Sequence, residues 1–309
     1  MILRISELKT HFSTPDGLVR AVDTIDLSIR ERETVGLIGE TGCGKTVLGL
    51  TLMRLLQSST TIEGTILYKG TNLLKISEAE MRRIRGEEIA IILQNPTTSL
   101  NPVMRVGEQI AEAIRLHQGL NKNDAAKKAI EMLDAVRIPS PSRRANEYPH
   151  EFSGGMKQRV MIAMGLACNP SLIIADEPTK GLDVTIKSQI IRLLKEVTED
   201  TAMLIITHDL GVARSLCDRI ALMYAGELVE CAPAGEIFDA PLHPYTRGFL
   251  GSLPRNGLVP IPGMSPSLIN LPDGCRFHPR CANAKAICRK KHPDMIEIED
   301  GHFVRCFDA

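Results

Sequence analysis

Gly39-Glu40-Thr41-Gly42-Cys43-Gly44-Lys45-Thr46 fits the pattern G-x-x-x-x-G-K-[ST] at every fixed position. Such a loop presents backbone N–H groups, one ammonium and one hydroxyl, a set that suits the phosphates of a nucleotide. The preceding Thr34-Val35-Gly36-Leu37-Ile38 is short, apolar and partly β-branched, the composition of a buried strand. From Lys45 to Leu56 leucine and methionine dominate without proline, which predicts a helix. Strand, glycine loop and helix in succession put the loop at a helix N-terminus, where an anion is stabilised. Lys45 is expected to reach the β- and γ-phosphates and the Thr46 hydroxyl to ligate Mg²⁺. Cys43 holds a variable position and reads as a small filler.

The bulk composition narrows the partners. The 309 residues carry 37 basic and 37 acidic side chains and no tryptophan. Binding nucleic acid as the main partner needs a surplus of Lys and Arg, and stacking on single strands needs aromatics. The first eight residues, Met1 to Leu8, lack the basic end and long apolar core of a signal peptide. The longest apolar run, Val160 to Cys168, is about half the roughly 20 residues that span a bilayer. A soluble, cytoplasmic chain is expected, with any membrane contact made through a partner.

Outward from the loop, residues 1–35 alternate in the β manner at Val22, Ile25, Leu27 and Ile29, which predicts an antiparallel edge to the main sheet. Apolar strands are expected at Ile89–Leu93, Leu172–Ala175, Met203–Thr207 and Ile220–Tyr224, with helices between several of them. That alternation indicates an α/β core with a largely parallel sheet. Residues 103–168 hold almost nothing strand-like, and helical periodicity over Glu108–His117 and Asp124–Val136 predicts a helical subdomain. Eight of the eighteen prolines lie between Pro233 and Pro272, which reads as an extended linker. Four of the eight cysteines fall in the tail from Gly274 to Ala309, read as a small separate module. The boundaries are therefore 1–231 for the nucleotide-binding domain (helical subdomain about 95–165), 232–273 for the linker and 274–309 for the tail.

A second motif, Ser171-Leu172-Ile173-Ile174-Ala175-Asp176-Glu177-Pro178, is an apolar strand ending in two carboxylates. Side chains alternate along a strand, so Asp176 and Glu177 point in different directions. One can bind Mg²⁺ while the other faces the water that attacks the γ-phosphate. Just before this strand, Phe152-Ser153-Gly154-Gly155-Met156-Lys157-Gln158-Arg159 resembles the signature motif of ABC-type ATPases. Gln94 resembles their Q-loop glutamine, His208 their switch histidine and Asp183 their D-loop aspartate, all in the family's order over roughly residues 1–240.

This resemblance implies a P-loop core of ABC type with an antiparallel β subdomain and a helical subdomain. It implies two ATPase subunits meeting head to tail, each ATP lying between one phosphate loop and the other subunit's Ser153, Gly154 and Gly155. The loop residues Gly39, Glu40, Thr41, Gly42, Cys43, Gly44, Lys45 and Thr46 would bind ATP, with Gln94, Asp176 and Asp183. Thr46, Gln94 and Asp176 would serve Mg²⁺. Glu177 would polarise the attacking water and His208 would steady the γ-phosphate. Phe12 fits the family's adenine-stacking aromatic and equally a core position. Two departures stand out: Phe152 and Met156 flank a signature that usually reads Leu-Ser-Gly-Gly-Gln, and Lys180-Gly181-Leu182-Asp183 replaces the common Ser-Ala-Leu-Asp.

A narrower resemblance lies in Gln94-Asn95-Pro96-Thr97-Thr98-Ser99-Leu100-Asn101-Pro102, His243-Pro244-Tyr245-Thr246-Arg247 and Leu271-Pro272-Asp273-Gly274-Cys275-Arg276-Phe277-His278-Pro279-Arg280-Cys281. These are similar to the ATP-binding subunits of dipeptide, oligopeptide and nickel importers. The resemblance implies a peripheral location at the cytoplasmic face of the cell membrane. It also implies a second ATPase subunit of different sequence, two membrane permease subunits and, indirectly, an extracytoplasmic peptide-binding protein. A soluble ABC ATPase acting on nucleic acid or ribosomes is the alternative.

Cys275, Cys281, Cys288 and Cys306 are separated by five, six and seventeen residues. Structural zinc sites use closer pairs. Disulfides do not suit the expected compartment. A [4Fe–4S] cluster takes one thiolate per corner and is wider, and the importer resemblance points to one in some relatives. A cluster is favoured over zinc, and unrelated cysteines in a loop-rich tail remain the alternative.

Overall fold

Three strands of near-continuous apolar sequence form the centre of the molecule. All residues of β3 (Thr34–Ile38), β7 (Leu172–Asp176) and β8 (Ala202–Thr207) are buried, as expected of parallel strands covered on both faces. The structure, a computed structural model, describes residues 1–252 and 259–309; residues 253–258 of the expected linker lie outside it. Among the described residues β3, β7 and β8 belong to an eight-stranded sheet ordered β11-β12-β10-β9-β3-β8-β7-β6. The others are β6 (Ile89–Ile92), β9 (Arg219–Tyr224), β10 (Glu227–Pro233), β11 (Ile296–Glu299) and β12 (His302–Val304). β6, β7, β8, β3 and β9 run parallel, and β10, β12 and β11 continue the sheet antiparallel.

The period of two along each strand feeds two cores. Leu172, Ile174, Leu204 and Ile206 pack with Leu48 and Leu52 of the Lys45–Leu52 helix and with β1 (Leu3–Thr14) and β2 (Gly17–Ile29). Ile173, Ala175, Met203 and Ile205 face the other way, toward the helices Val106–Gln118, Lys122–Ala135 and Gly154–Leu166. No strand interrupts residues 93–171, the stretch that includes the expected helical subdomain. The helices Val106–Gln118 and Lys122–Ala135 each begin two residues earlier than the periodicity suggests. Asn121 accounts for one of them, since its side chain accepts from the N–H groups of Asn123 and Asp124 at 3.0 Å.

The N-terminal strands form the antiparallel subdomain that the family resemblance implies, and depart only from the edge position that their alternation suggests. β1 and β2 do not edge the main sheet but join β4 (Thr61–Tyr68) and β5 (Thr71–Asn72) in an antiparallel sheet ordered β2-β1-β4-β5. The helix after the glycine loop ends at Leu52 rather than Leu56. Arg54 there takes a positive φ of 50°, and its guanidinium donates to the carbonyls of Leu73 and Ile76.

The C-terminal quarter departs further. The segment read as an extended linker contains the helices Ala234–Asp239 and Pro244–Gly251. Proline at the first helical position lacks only an N–H that would have no partner there, so Pro244 opens a helix instead of preventing one. Nor does the tail stand apart as a separate module: β12 pairs with β10, Glu230 opposite Val304 and Cys231 opposite Phe303. A fully buried carboxylate, Glu230, holds this join. It accepts from the backbone N–H groups of Leu242 (2.7 Å) and His243 (2.9 Å), and His302 Nε2 lies 2.8 Å away.

His243 is 1% exposed and caps the Pro244–Gly251 helix, its Nδ1 accepting from the Tyr245 N–H at 3.0 Å. Burial drives its pKa down to about 3 from the ordinary 6.5. The unfolded chain therefore takes up a proton near pH 6.5 that the folded chain refuses until about pH 3. His243 should remove about 2 kcal/mol of stability between pH 7 and pH 5. Denaturant unfolding at the two pH values should show that loss in the wild type and its absence in His243→Asn.

Candidate nucleotide site

The glycine loop leaves the C-terminal end of β3 and enters the Lys45–Leu52 helix through Gly44, the N-cap residue at φ 111°. A side chain is excluded there twice over, because the φ is left-handed and a Cβ would run into the Ala21 carbonyl oxygen. No side chain caps this helix, which leaves its first-turn amides to an anion. Lys45 is 7% exposed, and its ammonium donates to the carbonyls of Gly39 (2.7 Å) and Glu40 (2.9 Å). Cys43 is buried beside it, 3.6 Å from Lys45 Nζ, and burial pushes its thiol pKa up.

The two carboxylates at the end of β7 have different surroundings, Asp176 as the last residue of the strand and Glu177 just beyond it in a left-handed turn. Asp176 is 3% exposed, and its carboxylate lies near the Thr46 hydroxyl. Burial pushes its carboxyl above the usual range, against the pull of Thr46 and Lys45. Its Oδ1 is buried without a hydrogen-bond partner. An orphaned carboxylate oxygen beside a threonine hydroxyl fits a divalent cation.

Glu177 takes a φ of 47°, its N–H donating to the Ile206 carbonyl at 2.8 Å. Its Oε1 accepts the His208 N–H at 3.1 Å and lies 2.6 Å from His208 Nδ1. Oε2 is contacted only distantly, by the Thr207 hydroxyl at 3.4 Å.

One groove of about 330 Å³ brings Thr41, Gly42, Gly44, Lys45 and Thr46 together with Phe12, Gln94 and Glu177, while Gly39, Cys43, Asp176 and His208 are not part of its lining. Phe12 thus faces the groove and not the core. Lys180 and Leu268 line it as well. Lys180 lies in the D-loop stretch, whereas no sequence signal marks Leu268; it arrives through the hydrogen bond from the Arg20 N–H to its carbonyl. A larger cavity of about 600 Å³ lies at the opposite ends of the strands, near Arg32, Ser171 and Thr201, and gathers none of these groups. Glu40 belongs to the loop, but its carboxylate is turned out of the groove and held by Arg280.

Ser153, Gly154, Gly155 and Asp183 do not line this groove. Ser153 caps the Gly154–Leu166 helix through the Met156 N–H, and Asp183 caps the Val184–Val197 helix through the Ile186 N–H. The two helix starts touch: a Cβ on Gly155 would strike Ile186 Cγ2 at 2.6 Å. Ser153, Gly154 and Asp183 remain exposed.

The four tail cysteines are free thiols that line one small cavity together with His243 and Phe277. Burial pushes Cys275 up to about 11 and raises Cys281 and Cys306 as well. Among the described residues no group of three or more His, Cys, Asp or Glu is placed to hold a metal ion, the four tail cysteines included. No helix among them is long and apolar enough to cross a membrane.

Residues 22–180 match the family described as ABC transporter, and residues 229–288 match the oligopeptide/dipeptide transporter C-terminal region. The chain is 47% identical to a probable peptide ABC transporter ATP-binding protein, y4tR, of Sinorhizobium fredii, over 99% of this chain and 95% of that one. It is 45% identical to the oligopeptide transport ATP-binding protein OppD of Salmonella typhimurium, covering 99% and 93%. Among solved structures, the dimeric ATP-binding cassette MJ0796 in a post-hydrolysis state bound to ADP and Pi superposes with a TM-score of 0.68. It is 27% identical, over 75% of this chain and 99% of that one. A cassette core with an uncapped phosphate loop, a carboxylate–histidine pair beside it and near full-length similarity to such proteins places this chain in the ABC transporter family, as an ATP-hydrolysing subunit.

Proposed function

We propose that this chain is the ATP-binding and ATP-hydrolysing subunit that powers an importer of dipeptides or oligopeptides, bound peripherally at the cytoplasmic face of the cell membrane. The observation that carries the reading is near full-length similarity to peptide-transport ATP-binding proteins, which extends through the C-terminal region. The same similarity disfavours a soluble ATPase acting on nucleic acid. Two membrane permease subunits and a second ATPase, with an extracytoplasmic peptide-binding protein beyond them, complete the assembly. The exposed starts of the Gly154–Leu166 and Val184–Val197 helices are the surface offered to the second ATPase. Ser153, Gly154 and Gly155 serve the partner's ATP there, with Asp183 beside them. Co-expression with the permease subunits should yield co-purification in fixed ratio; a chain that purifies alone would contradict the reading.

Within one site, Lys45 and the loop amides bind the β- and γ-phosphates and Phe12 stacks on adenine. Thr46, Asp176 and Gln94 would hold Mg²⁺, which supplies neutralisation of phosphate charge. Water attacks the γ-phosphorus as its proton passes to Glu177, and the bond to the β-phosphate oxygen breaks to leave ADP. His208 engages Oε1, so Oε2 is the oxygen left to take that proton. His208 fixes the rotamer of the base while its own ring, 52% exposed, can reach the γ-phosphate. Glu177→Gln should lower the ATPase rate of the assembled transporter by about 10²–10⁴-fold and leave ATP binding in place. His208→Ala should lower the rate as well. Unchanged hydrolysis in Glu177→Gln would remove Glu177 from the mechanism.

The tail cysteines suit a [4Fe–4S] cluster held by Cys275, Cys281, Cys288 and Cys306. Four thiols around one cavity support it. Such a cluster would bind thiolates and relieve the burial that keeps Cys275 protonated. Anaerobically purified protein should contain about four irons and about four acid-labile sulfides per chain. Both should be lost in a Cys281→Ser/Cys288→Ser variant. One zinc without sulfide, or no metal, would overturn the assignment.

A further inference from the structure

Glu40 occupies a variable position of the phosphate loop, yet it is held from three directions by the C-terminal part of the chain. Arg280 forms a two-pronged pair with its carboxylate, Nη1 to Oε2 at 2.8 Å and Nη2 to Oε1 at 3.0 Å. The Ser265 hydroxyl donates to the same Oε2. On the backbone side, the Glu40 N–H donates to the Tyr245 hydroxyl at 3.0 Å. The Glu40 carbonyl meanwhile accepts from the Lys45 ammonium at 2.9 Å. One residue therefore joins the tail to the lysine that must meet the phosphates.

Arg280 is built in rather than loosely attached. Its side chain is 5% exposed, its Nε donates to the Pro262 carbonyl at 3.0 Å, and its guanidinium lies over the Tyr224 ring at 5.8 Å. Fork geometry and a guanidinium shielded from water distinguish such a pair from a surface ion pair of negligible worth, with Glu40 itself a quarter exposed. Tyr224 and Tyr245 pack on each other and on Phe277, so both tethers to Glu40 rest on one aromatic cluster.

We propose that Arg280 is a positioning residue for the nucleotide site: through Glu40 it sets the loop backbone that orients Lys45, and it thereby determines ATP affinity. Freeing the Glu40 carboxylate lets its peptide rotate, and the Lys45 ammonium loses one of its two carbonyl partners. Tyr245 is the second tether and acts on the N–H of the same residue. The inference rests on the ATPase reading and adds to it that the C-terminal region is part of the ATP site. A packing role alone would change the stability of the protein and not its affinity for nucleotide.

The test is titration of the full-length chain with a fluorescent ATP analogue, with melting temperature measured on the same samples. Arg280→Ala should raise the Kd for nucleotide about tenfold, and Glu40→Gln should do the same. The double variant should bind no more weakly than either single one, because the two act as a unit. Arg280→Lys keeps the charge without the fork and should recover part of the affinity. A Kd within about twofold of wild type in a folded Arg280→Ala or Glu40→Gln protein would overturn the proposal, whatever the melting temperature does. Should Arg280→Ala fail to fold, Glu40→Gln and Tyr245→Phe carry the same affinity criterion. Wild-type protein that binds no nucleotide would overturn the ATPase reading itself, a result distinct from equal binding by wild type and variant.

Discussion

Parallel pairing of β3 with β8, and of β8 with β7, is the constraint on which the site depends. The register sets Ile38 beside Thr207 and Ile206 beside Asp176, so the three strands end at one edge of the sheet. The next residues, Gly39, Glu177 and His208, must therefore emerge together although far apart in the chain. Ligands of open α/β sheets bind outside the carboxyl ends of the strands for this reason. Burial on both faces protects the arrangement, since a register slip would carry every apolar side chain of a strand to the wrong core.

Much of this was legible in the residues, because each part carries a local signal. Apolar runs flanked by turn-forming residues mark the central strands, and the loop and the Asp176-Glu177 pair sit at their ends. What escaped was non-local. β1 and β2 carry the alternation of any half-buried strand, and nothing in their sequence says that their partner is β4 rather than the main sheet. Proline density suggested an extended segment after residue 232, but a proline that opens a helix and one that forbids it look alike in composition. The His243-Pro244-Tyr245 motif could be matched to a family, yet its physical work needed coordinates: a histidine cap, and a tyrosine hydroxyl that receives the Glu40 N–H.

The C-terminal region is fastened by charge as well as by apolar contact. Arg276 pairs with Asp23 of β2 and Glu227 of β10 and donates to the Ala225 carbonyl at 2.6 Å, while His292 meets Glu227 at 2.6 Å. A buried ion pair loses much of its attraction to desolvation, and removing one partner is costlier than the pair is stabilising. Such groups resist piecemeal change. They also make the region's position specific: an apolar surface tolerates sliding, whereas a guanidinium between two carboxylates has one seat.

The pairing of β12 with β10 has a consequence during synthesis. β10 is made well before its partner, and its outer row of N–H and C=O groups stays open while the intervening chain emerges. An open edge of this kind invites pairing with other chains. In the finished protein the edge on this side of the sheet is β11, a strand of four residues with glutamates at alternate positions. The order of translation thus leaves a transient adhesive border on the nascent cassette, and the closing hairpin replaces it with a short, negatively charged one.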